Sequence, residues 1–106
     1  MTEFISVYIT VAAQFEADLI ARTLVEDRLA ACVNSLPGLK SIYHWEGQIE
    51  ESQEILLIAK TRTTLFEPLC DKVKSLHSYE CPCIVAEPII AGHAPFLAWL
   101  ADETRP

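Results

Sequence analysis

Ile55-Leu56-Leu57-Ile58-Ala59 is apolar on successive positions, inside a strand-like segment running from Gln48 to Thr61. Successive side chains of a strand point to opposite faces. A strand with this centre therefore needs apolar cover on both sides. Glu3 to Thr10, EFISVYIT, repeats the problem, because Phe4, Val7, Tyr8 and Ile9 occupy both phases of the alternation. Leaving several such side chains wet would cost roughly 1.5–3 kcal/mol each, against a net stability of about 5–15 kcal/mol for a domain.

The rest of the chain limits what can supply that cover. With 106 residues, 51% of them apolar and 22% charged, the chain suits one globular domain, residues 1–106, and is too short for a second core. No apolar run reaches the roughly 20 residues of a bilayer span, so no membrane partner is expected. A net charge of -7 has the wrong sign for a phosphate backbone, so no nucleic acid is expected either. The opening Met-Thr-Glu-Phe-Ile-Ser lacks the basic start of an export signal, and the expected compartment is cytoplasmic. Cys32, Cys70, Cys81 and Cys83 are then expected as free thiols.

Strand one covers Glu3 to Thr10. A helical period follows from Gln14 to about Ala30, with Ala17, Ile20, Ala21 and Leu24 on one stripe and Glu16, Asp18, Arg22 and Glu26 elsewhere. Cys32 to Leu36 resumes a strand, Pro37-Gly38 kinks it, and Leu39 to Trp45 continues it. Glu46-Gly47 reverses the chain into Gln48 to Thr61, closing a long hairpin. Thr64 and Glu67 have capping-box spacing ahead of a second helix, Leu65 to Leu76, whose first turn tolerates Pro68. Ile84 to Ile90 is a last strand with prolines near its ends, and Pro95 to about Asp102 a terminal helix.

This order predicts an α+β fold, the ferredoxin-like βαββαβ sandwich with a C-terminal helix. Its two long helices cover one face of the sheet. The other face, apolar by the argument above, calls for a second copy of the chain. The competing arrangement folds the terminal helix over it.

Several unlike segments, in colinear order, now carry a resemblance. RLAACVN (28–34), PGLKSIYHWEGQIEE (37–51), EILLIAKTR (54–62), LHSYECP (76–82) and Gly92 with FLAWL (96–100) resemble the CutA divalent-cation tolerance family. The resemblance implies a homotrimer of ferredoxin-like protomers, similar in architecture to PII signalling trimers, and tolerance of copper and other divalent cations. Two positions depart from the family pattern. Ser78 stands in His77-Ser78-Tyr79-Glu80 where proline is usual, and Cys83 follows Pro82 where an acidic residue is usual. The second exchanges a hard oxygen donor for a soft sulfur.

No G-x-S-x-G, H-E-x-x-H, C-x-x-C or P-loop is present, so the chain is not expected to be an enzyme and needs no obligatory cofactor. The sharpest metal constellation is His77, Cys81 and Cys83: alternate positions of an extended segment share a side, and thiolate with imidazole suits copper or zinc better than magnesium or calcium. The same residues can instead serve as small packed side chains and a helix-end hydrogen bond. Crevices between protomers are binding places in PII-like trimers, so the resemblance implies that Trp45, Glu50, Lys60, His77 and Tyr79, all within its segments, line a pocket for a small anion or signalling ligand. Against it, Trp45 can anchor an interface, Glu50 and Lys60 can pair across the hairpin, and Tyr79 can cap the core. His44 and His93 read as solvent or turn residues. The function expected is a homotrimeric divalent-cation (copper) tolerance protein binding metal weakly. The alternative is a PII-like regulatory or scaffold trimer binding a small ligand or protein in its crevices.

Overall fold

The computed structural model describes residues 3–105. Its elements run β1 (Phe4–Val11), α1 (Gln14–Glu26), β2 (Cys32–Trp45), β3 (Gln48–Arg62), α2 (Phe66–Leu76), β4 (Ile84–Pro88) and α3 (Ala94–Glu103). The strands form one antiparallel sheet in the order β2-β3-β1-β4. This is the expected split βαβ topology with an added helix.

Alternation sorts the sheet into two faces. Val7, Ile9 and Val11 pair with Ala59, Leu57 and Ile55, and all six pack beneath the helices with Ala17, Ile20 and Leu24 of α1 and Leu69 and Val73 of α2. The opposite phase puts Phe4, Tyr8, Leu56, Ile58, Leu36 and Val85 on the second face. Leu36 and Val85 stay 57% and 53% exposed there. The terminal helix does not cover them. It is held at one end of the sheet, with Leu100 buried and Arg62 donating to the Ala101 carbonyl at 2.8 Å and to Thr104 Oγ1 at 3.0 Å. Arg62 Nη1 also meets Glu3 Oε2 at 2.9 Å.

The hairpin arm owes its shape to two backbone devices. Glu46 and Gly47 both adopt positive φ, 50° and 79°, as a two-residue primed turn requires. At the kink, Leu36 pairs with Leu56 and Leu39 with Glu54, so Pro37 and Gly38 together oppose Ile55 alone. That is a β-bulge, with Gly38 at φ 84°. The extra residue shifts the alternation of β2 by one. Leu39, Ser41, Tyr43 and Trp45 consequently share a side with Glu54, where an unbulged strand would present Lys40, Ile42 and His44.

Other expectations need correction. The first helix stops at Glu26, not Ala30: Arg28 turns into the left-handed region at φ 57°, and the amides of Leu29 and Ala30 both bond back to the Leu24 carbonyl. Thr64 does not cap the second helix. Thr63–Leu65 form a 3-10 turn, and α2 begins after Leu65 with no side-chain cap. β4 ends at Pro88, which has no ladder donor, and Ile90 is 85% exposed. Glu16, assigned to the polar side of α1, is buried.

Candidate functional site

A cavity of about 640 Å³ opens where the hairpin arm, the end of β1 and the segment after α2 converge. The bulge supplies one wall through Ser41, Tyr43 and Trp45, and β3 supplies Glu54. The segment from Ser78 to Cys83 supplies the facing wall, with Tyr79, Glu80, Cys81 and Cys83 all lining it.

Tyr79 organises this wall. Its hydroxyl donates to Glu54 Oε2 at 2.7 Å, and its ring lies 4.7 Å from the His77 ring. Burial, reinforced by the bond to Glu54 and the negative charge there, pushes the phenol well above its ordinary range. It therefore keeps its proton and remains a donor.

Behind Tyr79, the side chain of His77 is fully buried. The Tyr79 amide donates to His77 Nδ1 at 3.0 Å, which leaves Nε2 to carry the hydrogen and donate to the Thr10 carbonyl at 2.8 Å. Glu16 Oε2 accepts from the Ser78 amide at 3.3 Å and the Ser78 hydroxyl at 3.2 Å, and lies 3.6 Å from His77 Nδ1. The departure from proline at position 78 thus supplies an amide and a hydroxyl to a buried carboxylate; proline has neither.

Of the proposed metal ligands, Cys81 and Cys83 face the cavity as exposed free thiols, and Cys32 and Cys70 are free as well. His77 does not join them, because both of its ring nitrogens are already bonded within the chain. Among the described residues no group of three or more His, Cys, Asp or Glu side chains is arranged to hold a metal ion. Of the proposed crevice set, Trp45 and Tyr79 line the cavity, with His77 supporting Tyr79 from behind. Glu50 and Lys60 do not line it. They cannot pair across the hairpin, since both lie on β3, and ten residues of strand separate them by roughly 33 Å. Lys60 instead bonds Asn34 Oδ1 at 2.6 Å, while Glu50 is exposed opposite Tyr43.

Glu16 and Glu54 were absent from the expected site. Counting back by twos from Ile58 and Leu56 places Glu54 on the second face. Its partnership with Tyr79 depends on a loop whose path no periodicity reveals. The electrostatic result is one-sided: the cavity wall contains the carboxylates of Glu54 and Glu80 and no Lys, Arg or His.

Comparison with known proteins bears on this geometry. The family model for "CutA1 divalent ion tolerance protein" matches residues 5–103. The divalent-cation tolerance protein CutA of Thermus thermophilus is 52% identical over 92% of this chain and 95% of its own length. The solved structure from that organism superposes with a TM-score of 0.94 at 50% identity, covering 96% of this chain and 99% of that one. A chloroplastic protein CutA of Arabidopsis thaliana is 44% identical over 95% of this chain, which spans 56% of that longer relative.

Proposed function

Because this chain belongs to the CutA1 divalent ion tolerance family, we propose that it acts as a homotrimer that takes up copper or another divalent cation weakly, at seams between protomers. The family is a tolerance family and not an enzyme family. The observation that carries the assembly is the exposed apolar surface: Leu36 and Val85 on the second face, and Ile42 and Ile49, 64% and 70% exposed, on the other side of the hairpin arm. An arm that brings the longest dimension of a 106-residue chain to 44 Å presents these groups to a neighbour, not to its own core.

For the metal, Cys81 and Cys83 are the soft donors on the cavity wall, suited to copper(I). The described residues of one chain offer no complete ligand set, so further donors come from a sister protomer, or from His77 after it gives up one of its two bonds. Equilibrium dialysis against copper(I) tests this. The account expects uptake that falls when Cys81→Ser and Cys83→Ser are combined; unchanged uptake would remove the thiol pair.

The cavity itself favours a second reading, a crevice that binds a small organic ligand. Its volume falls in the range of small-molecule sites, about 300–1,000 Å³, and aromatic side chains make up much of its wall. Where the chain works is a separate matter. No described helix is long and apolar enough to cross a membrane. The expected cytoplasmic location draws no support from a chloroplastic relative.

A further inference from the structure

Cys81 and Cys83 are free thiols separated by Pro82 alone, and both line the same wall. Their closeness is a property of the chain itself, so it holds whatever a sister protomer covers. Residues two apart in an extended segment have Cα atoms roughly 6.6 Å apart, at the upper end of the span a disulfide bridges, about 4.4–6.8 Å. A small shortening brings the sulfurs within bonding reach, and the backbone is free to make it. The segment bends at Cys81, and pairing with β1 begins only at Ile84, opposite Ile9. A bridge closed near the limit of its span is of the readily reduced kind. Cys32 and Cys70 have no second cysteine close by in the chain. Cys32 is fixed in β2 opposite Lys60, while burial and then the Glu67 charge push the Cys70 thiol up and withhold its reactive thiolate.

We propose that Cys81 and Cys83 are a redox pair: a peroxide closes them into an intrachain disulfide, a small thiol reopens it, and closure discharges the metal that the two thiols hold. The discharge rests on the copper(I) reading above; the disulfide stands without it. In the closing reaction one thiolate attacks a peroxide oxygen, the O–O bond breaks, hydroxide leaves and that sulfur becomes a sulfenic acid. The second thiolate attacks the same sulfur, the S–O bond breaks, a second hydroxide leaves and the S–S bond forms. The two sulfurs give two electrons to the peroxide, and the two hydroxides take up the two thiol protons as water. Two molecules of a small thiol return the electrons and protons and leave as their own disulfide. Metal binding needs thiolates, so the bridged form has lost both soft donors.

The test treats the metal-free, assembled protein with hydrogen peroxide, then unfolds it, alkylates the remaining thiols with iodoacetamide and digests it with trypsin without reduction. The tryptic peptide that begins at Ser75 contains Cys81 and Cys83 and neither Cys32 nor Cys70. It is expected alone, unalkylated and lighter by two hydrogens, and to regain both thiols after glutathione. Dimedone present during oxidation traps any sulfenic acid that finds no partner. Removing the partner of the attacked sulfur, by Cys81→Ser or Cys83→Ser, should raise the dimedone adduct on this peptide at least about tenfold in one of the two variants.

A peptide that keeps both thiols in peroxide, a link to Cys32, Cys70 or another chain, or equal dimedone adduct in the parent and both variants would overturn the redox pair. Copper(I) dialysis separates the pair from the metal reading. The reduced protein is expected to take up copper(I), and the bridged protein at least about tenfold less. Equal uptake by the two forms would overturn the discharge. No uptake by the reduced protein, with the bridge formed in peroxide, would overturn the copper reading and the discharge together while upholding the disulfide.

Discussion

Tyr79 and Glu54, 25 residues apart in sequence, are joined by a 2.7 Å hydrogen bond that ties the segment after α2 to the hairpin. It is the one side-chain hydrogen bond between the two walls of the cavity among the described residues, and it fixes a buried carboxylate in a set position. Tyr79→Phe should destabilise the protein by about 1–3 kcal/mol, since it leaves Glu54 without its donor. Removing both groups, as Tyr79→Phe with Glu54→Leu, should cost less than the sum of the single changes. Urea denaturation of the four proteins measures the coupling; strict additivity would show that the bond contributes nothing.

The raised phenol of Tyr79 sets a pH dependence. An unfolded tyrosine loses its proton near 10, whereas the folded one holds it to higher pH. The native state thus binds more protons than the unfolded state above about pH 10, and stability falls as pH rises there. Its contribution is fully present below that point and is lost as pH climbs through the folded value. Alkaline unfolding of Tyr79→Phe should therefore be less steep above pH 10 than that of the parent protein. Parallel curves would remove Tyr79 as the cause.

Gly38 stands in the left-handed region at φ 84°, where a side chain is strained although open space surrounds it. Gly38→Val should cost about 1–2 kcal/mol for that backbone reason. Deleting Gly38 is a different change: it leaves Pro37 alone opposite Ile55 in a regular ladder, and Ser41, Tyr43 and Trp45 keep their partners and stay on the side of Glu54. In a Trp99→Phe background, which leaves Trp45 as the one tryptophan, both changes should keep the wavelength of Trp45 emission; a shift in the deletion variant would show that the register of the arm had moved.

Arg62 gathers Glu3, the Ala101 carbonyl and Thr104, and so ties the end of α3 to the sheet. Lost helix-end bonds of this charged kind cost about 1.5–3 kcal/mol together with local order. Arg62→Met should speed hydrogen exchange in α3 while the central strands stay protected. Uniform acceleration would mean that the whole domain, not the helix, had lost its anchor.

The topology was legible because periodicity changes cleanly between segments, from FISVYITV in β1 to the helical four- and three-residue spacing of Leu65, Leu69, Val73 and Leu76. The hairpin turn and bulge were legible because Glu46-Gly47 and Pro37-Gly38 have few other uses inside long strands. The boundaries at Glu26 and Phe66 were not, since a left-handed Arg28 and a 3-10 turn leave no mark in composition. Half of the site escaped for a related reason. Trp45, Tyr79, Cys81 and Cys83 were named, but Glu54 and Glu16 matter only through partners reached by folding. The opposite error placed Glu50 and Lys60 together because both belonged to a recognisable stretch, although strand geometry holds them far apart.

The central claim is that sister chains cover the second face and the arm. Native mass spectrometry or light scattering at nanomolar dilution tests it most directly. The account predicts a folded particle of three times the 11.9 kDa chain. A folded species at the mass of a single chain would contradict it.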